Sequence, residues 1–364
     1  MKHLEDTPWW ICDPEDENYC AYVDTDSNYF HAEPLLRHRF HNFDEMSDEE
    51  KDDELEKIAL EYQDIITKHY DNVAKDVFNI NPFEWFDKPH WLEMKTECVI
   101  RSAYFRATRR YAQWITKQEG VKIEKETIIE NNSDSGNIMG YDNGKGTQIR
   151  IEIGELDIKG LEFQKANFPP KLGEFFNDVI EDVLKGAKQE EIDARVKEFK
   201  KQILNGTIPL TQLGNPTSVK QIGKHQGSPA RKGEILSTLK ENTTDWYNKK
   251  TGKTQKRKLG APAAVKAAIR YNDLLRFWKL DTKHELITNG TKIKWIYLKN
   301  NPYQIEEIAF LDYDMPEKIR TFIEQYADRK KVFESILLNK LEGFYSDLEW
   351  NLNLNPYINQ FFEL

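Results

Sequence analysis

The chain has 364 residues, 39% of them hydrophobic and 12% aromatic, which excludes a disordered protein and gives material for one or two sizeable cores. Three cysteines, Cys12, Cys20 and Cys98, form no C-x-x-C pair and argue against a disulfide framework, and the acidic, aromatic start MKHLEDTPWW is unlike a signal peptide; a cytoplasmic location is expected. The net charge of −10 taken alone argues against a nucleic-acid partner, and no apolar run approaches the ~18 residues of a membrane span.

From Tyr19 to Phe30, strand-forming residues surround the segment DTDS, which predicts a hairpin with Asp24 and Asp26 at or near its turn. The acidic stretch from Asp44 to Phe78 carries Ile58, Leu60, Ile65, Ile66, Tyr70 and Val73 at helical spacing, with its acids at the positive end of the helix dipole. Strands are expected at Trp91–Phe105 and Arg109–Ile115, followed by a mobile Gly/Asn/Ser loop from Glu130 to Gln148. Gly173–Leu184 and Gln189–Leu204 predict a helix pair broken near KGAK. A Gly/Lys loop is expected over Tyr247–Pro262, then a helix over Ala263–Trp278, a strand over Lys292–Leu298, and a helical last third. No repeat of solenoid length is visible.

Charge is divided unevenly along the chain. Lys220 to Lys299 holds 19 Lys and Arg against 6 Asp and Glu, a balance of +13, so the other 284 residues carry −23. A solvated face is the plain alternative for any one cluster, but so large an excess repels itself unless an anion relieves it.

Two carboxylates at i and i+2 on a hairpin can be turned toward one point, where they repel unless a cation lies between them. Hard oxygen donors of this kind suit Mg²⁺, and a two-metal centre activates an attacking oxygen while stabilising a leaving phosphate. An exposed turn is the alternative. An EF-hand begins in the same way, yet its sixth position is Tyr29 and its twelfth Leu35 where Gly and Glu are required. A sugar-nucleotide transferase also uses D-x-D but gives no reason for the distant basic stretch.

The octapeptide YVDTDSNY resembles the palm signature of family-B DNA polymerases, Y-x-D-T-D-S-x-Y, whose aspartates hold the catalytic metals. The resemblance covers most of the chain and is strongest from Tyr22 to Pro170. It implies an α+β fold in which a partial palm, an antiparallel sheet with packed helices over 1–160, precedes a mostly helical thumb over 161–364. It implies that Asp24 and Asp26 are ligands of a two-metal Mg²⁺ site. LEMKTECVI is similar to the phage-type segment that brings a glutamate, here Glu97, near the metals. TRRYAQW resembles the K-x-Y segment that touches the primer, with Arg109 in place of the lysine and Tyr111 on the tyrosine; Arg and Lys differ in phosphate geometry, and a core aromatic is the alternative for Tyr111. KGLEFQKANFPP is similar to the palm–thumb junction, with Lys159 and Lys165 directed to primer phosphates, and APAAVKAAIRYNDLL to a thumb helix, with Lys266 and Arg270 on the duplex. For each of these four the alternative is a solvated side chain.

The family's D-x-x-S-L-Y-P and K-x-x-x-N-S-x-Y-G patterns, which carry a further metal aspartate and the fingers, do not occur in these residues, nor do its exonuclease motifs. The expectation is the C-terminal subunit of a split polymerase in viral DNA replication, active on primer-template DNA and dNTPs only with an N-terminal chain. The tail NPYINQFFEL, about 355–364, resembles a sliding-clamp-binding peptide anchored by Ile358, Phe361, Phe362 and Leu364; a tail folded onto its own thumb is the alternative. The rival function is a non-catalytic duplex-DNA-binding or replisome scaffold module.

Overall fold

The structure is a computed structural model and describes residues 20–24, 27–77, 93–129, 140–142, 148–240, 242–248 and 252–350. Helices and several small antiparallel sheets alternate in a mixed fold that divides into two compact units, Met1–Leu161 and Glu162–Leu364. Among the described residues no helix is long and apolar enough to cross a membrane.

The first unit opens with the expected hairpin. β1 (Cys20–Asp24) pairs with β2 (Ser27–Phe30) down to Asp24 opposite Ser27, which leaves a two-residue connection. A short helix α1 (Glu33–Arg39) then packs on the long helix α2 (Asp48–Asp76) through Leu35, Leu36, Phe43 and Ile58. Ser47 starts α2 with a capping box: its hydroxyl accepts from the Glu50 amide at 3.2 Å, and the Glu50 carboxylate accepts from the Ser47 amide at 2.8 Å. Of the apolar residues at helical spacing on α2, Ile58 is buried, as is Ala74 further along, whereas Leu60 and Ile65 are exposed at 47% and 40%.

The main sheet consists of β3 (Cys98–Ala107), β4 (Arg110–Gln118), β5 (Val121–Lys122) and a later strand that also borders β4. The β3 strand starts at Cys98; the part of its expected range at 91–92 lies outside the described residues, and Glu93–Glu97 is not strand. A second sheet of β6 (Glu124–Ile129), β7 (Gly140–Asp142) and β8 (Gln148–Ile153) places a strand inside the expected polar loop and begins another at its last residue; 130–139 and 143–147 lie outside the described residues. The last strand, β9 (Glu155–Lys159), returns to pair with β4.

Helix α2 is fastened to the main sheet by charge. Arg101 on β3 reaches Asp48 at 3.0 Å and Asp52 at 2.6 Å, Lys117 on β4 reaches Asp53 at 2.5 Å and Glu56 at 2.7 Å, and Lys122 on β5 reaches Glu49 at 2.7 Å. The acidic start of this helix thus serves as its docking face as well as suiting its dipole.

In the second unit, α3 (Pro170–Leu184) and α4 (Gln189–Leu204) form the expected pair, with Phe175 stacked on Phe199 at a ring separation of 4.0 Å. Gly186, at φ +93, supplies the left-handed turn that ends the first of them. A three-stranded sheet runs β10 (Asn215–Ser218), then two later strands, β13 (Lys292–Tyr297) and β14 (Glu307–Phe310), with helix α5 (Ala263–Phe277) packed on it through residues such as Ile269, Tyr271 and Leu274. The expected Gly/Lys loop is largely a two-stranded ribbon, β11 (Asn242–Asn248) with β12 (Lys253–Leu259). The helical C-terminal region comprises α6 (Glu317–Tyr326), α7 (Arg329–Val332), a π-helical turn at Phe333–Leu338, and α8 (Asn339–Asp347).

Candidate active site

The hairpin that carries DTD is anchored by the two tyrosines of its own signature. Alternation along antiparallel strands lets Tyr22 on β1 and Tyr29 on β2 share one face, and there they meet Phe105 of β3 and Tyr111 of β4. Tyr22 stacks on Phe105 at 5.4 Å between centroids and lies 5.7 Å from Tyr111; Tyr29 lies 5.4 Å from Phe105 and 5.8 Å from Tyr111. The phenol oxygens of Tyr29 and Tyr111 are 3.2 Å apart. Four rings at such separations hold a two-stranded element that has too little area to be stable by itself.

The same cluster reaches the turn between β3 and β4. Arg109 sits there at φ +59, in the left-handed region, and its amide donates to the Tyr22 hydroxyl at 2.9 Å. Tyr111 is paired with Lys159 across β4 and β9, and Gly160, at φ +63, passes so close to the Arg109 carbonyl that a side chain there would overlap it. Arg109, Tyr111 and Lys159, drawn from two separate stretches of sequence, are therefore neighbours beside the aspartate hairpin.

An acidic residue that sequence reasoning missed joins them. Asp157 accepts from Lys159 at 3.0 Å and from Gln113 Nε2 at 2.9 Å. The signal was present in ELDIK, where alternation puts Glu155, Asp157 and Lys159 on one face. The bridge to Asp157 holds the Lys159 ammonium above its ordinary range, with Tyr111 and Glu97 adding to the effect. Burial, then Glu97 and Asp157, pushes the Cys98 thiol up to about 11. Burial and the bond to Tyr111 raise the Tyr29 phenol above its usual value, and Glu97 contributes there too. Glu97 is an exposed carboxylate immediately before β3 whose field reaches Tyr29, Cys98 and Lys159 together. A cleft of about 600 Å³ opens beside it between β2, α2 and β3, lined by Phe30, Tyr62, Ile66, Glu97 and Phe105 among others.

Asp24 ends β1, Asp26 lies outside the described residues, and among the described residues no group of three His, Cys, Asp or Glu is placed to hold a metal ion. The exposed Glu97 carboxylate lies in the same unit as the hairpin and is a hard oxygen donor of the kind Mg²⁺ takes.

The remaining predicted residues divide. Lys165, in the second unit, is exposed. Lys266 is bound to the buried carboxylate of Glu307 at 2.6 Å. Arg270 donates to the Ser237 carbonyl at 2.8 Å and to Asp273 at 3.0 Å, and its side chain is only 16% exposed. Both cations are paired with carboxylates of their own unit. Ile358, Phe361, Phe362 and Leu364 lie outside the described residues. No family model matches the chain, and no curated protein matches it.

Proposed function

We propose that this chain supplies the metal-binding hairpin and a DNA-gripping unit to a family-B DNA-directed DNA polymerase, and that it works with polypeptide outside these residues bearing the remaining metal aspartate and the fingers. The observation that carries the reading is the aromatic anchor: Tyr22 and Tyr29, which flank the DTD segment in sequence, are the residues that fix it to the strands holding Arg109, Tyr111 and Lys159. A plain surface turn needs no such attachment. Asp24 and Asp26 would hold Mg²⁺, which supplies activation of a primer 3′-oxygen and neutralisation of charge at the attacked phosphate. Lys159 keeps its proton firmly because of Asp157, so it presents a fixed positive charge to a strand backbone. Tyr111 is held by Tyr29 and offers a ring edge and a hydroxyl at the same place. Arg109, turned outward in the tight connection, adds a guanidinium suited to phosphate.

The test is primer extension with Mg²⁺ and dNTPs, by the chain alone and with the polypeptide that carries the missing patterns. Reconstituted synthesis that falls by several orders of magnitude in Asp24→Asn and Asp26→Asn supports the reading. Unchanged synthesis in both variants would make the chain a module that grips duplex DNA without chemistry. Full extension by the chain alone would remove the need for a second polypeptide.

A further inference from the structure

The ribbon of β11 and β12 in the second unit carries exposed aromatic and basic side chains. Among the described residues neither strand pairs with a third. Trp246 is 39% exposed and Tyr247 60%, on opposite faces by alternation. The register puts Lys253 on the face of Trp246 and Lys256 on the face of Tyr247, and both lysines are exposed. Arg257 and Lys258 continue β12, while Asp245, opposite Lys256, is the lone acid of the two strands.

A two-stranded hairpin with large aromatics exposed on both sides gains little from water, and its stability is marginal without a partner. A membrane surface would take one face and leave the other cations unpaired. A ligand carrying negative charge on two facing walls satisfies both at once, and the major groove of duplex DNA, about 12 Å wide, admits a two-stranded ribbon between its phosphate rows. We infer that the β11–β12 ribbon enters the major groove of duplex DNA, with Lys253 and Lys256 on the phosphates and Trp246 and Tyr247 against the groove walls. This rests on the DNA-binding half of the function proposed above and is independent of its chemistry.

Equilibrium binding of the full chain to a fluorescent duplex of about 20 base pairs, without Mg²⁺ or dNTPs, should be measured over a salt series. Each phosphate contact contributes about 0.9 to the slope of log affinity against log salt, so the double variant Lys253→Ala, Lys256→Ala should lower the slope by about 2 and affinity by roughly tenfold. The matching lysine-to-arginine variant should keep both. A second measurement needs no variant: methylation of guanine N7, which faces the major groove, should be blocked in the complex with the unaltered chain. An unchanged salt slope, protection confined to adenine N3 in the minor groove, or tighter binding to anionic vesicles than to duplex would each overturn the inference. The binding assay contains neither Mg²⁺ nor dNTPs, so loss of ribbon contact is read separately from loss of synthesis.

Discussion

The Tyr29 and Tyr111 hydroxyls, 82 residues apart in sequence, meet at 3.2 Å and tie the aspartate hairpin to the central strand of its sheet. Tyr29→Phe removes that bond while keeping the ring, and should cost about 1 kcal/mol. Tyr22→Ala opens the four-ring cluster and frees the Arg109 amide; with the ring half-buried, the loss should be roughly 2–3 kcal/mol. Urea midpoints measure both. A Tyr22→Ala loss no larger than that of Tyr22→Phe would show that the cluster does not hold the hairpin.

The same phenol carries a pH signature. Burial, then its bond to Tyr111, raises the folded pKa of Tyr29 above the unfolded value, as burial does for Tyr271 and Tyr345. The folded chain therefore binds these protons more tightly than the unfolded chain. The stabilisation is complete below the unfolded value of about 10 and declines as pH rises through and above it. Melting temperature should fall from about pH 10 upward, and less steeply in Tyr29→Phe. Identical alkaline profiles for the two proteins would contradict the assignment.

How much of this was visible in the sequence depends on which signal each element carries. The helix pair at 170–204 and helix α5 follow from apolar periodicity with Pro and Gly at their ends, and the hairpin from its aromatic and β-branched run. The ribbon was hidden because lysines and a glycine dominate 249–258, whose low strand propensity outweighed the alternation in TTDWYN. Asp24 and Asp26 are nominated by their motif alone, whereas Asp157 and the grouping of Arg109 with Lys159 depend on β9 returning to β4, a pairing that no local pattern encodes. The pairing of Lys266 with Glu307 was likewise invisible, since Glu307 lies on a strand about forty residues on, whereas Arg270 and Asp273 stand at i,i+3 on one helix.

The charge clamp between α2 and the sheet has one weak member. Asp52 is 4% exposed, its Oδ1 and the Arg101 Nε have no hydrogen-bond partner among the described residues, and burying such a pair costs nearly what it returns. Arg101→Met alone should destabilise by about 3–5 kcal/mol because Asp52 is left charged and buried, while Arg101→Met with Asp52→Leu should recover most of that loss. The buried Lys117 reaches the exposed Asp53, and its hydrogen bond lowers the pKa of that carboxylate. That contribution is present above the unfolded aspartate value of about 3.9 and is lost as pH falls through the lower folded value. Acid melting profiles of Asp53→Asn should be flatter in this range.

Gly160 links stability to the candidate site. Its left-handed backbone and the closeness of the Arg109 carbonyl leave no room for a methyl group, so Gly160→Ala must move either β9 or the β3–β4 turn. A loss above about 3 kcal/mol is expected, together with weakened synthesis in the reconstituted enzyme at temperatures where the variant remains folded. Gly154→Ala, which would press on the Trp114 indole from another part of the sheet, should cost similar stability. Equal loss of synthesis in the two variants at matched folded fraction would show that the Arg109–Lys159 neighbourhood has no special part.

Arg270 offers the sharpest separation between holding the fold and holding DNA. Asp273 is 4% exposed and accepts from the Ser237 amide at 3.0 Å, the Ser237 hydroxyl at 2.9 Å and Arg270 at 3.0 Å. Removing the guanidinium leaves a buried carboxylate with two neutral donors, so Arg270→Ala should destabilise by about 3 kcal/mol. Lys266→Ala exposes the same problem at Glu307, which is 6% exposed. Below the melting temperature neither change should alter the salt slope of duplex binding, because neither cation is free to release a counterion. If instead Arg270→Ala keeps the melting temperature and lowers the slope by about 1, the guanidinium leaves Asp273 for a phosphate when DNA binds.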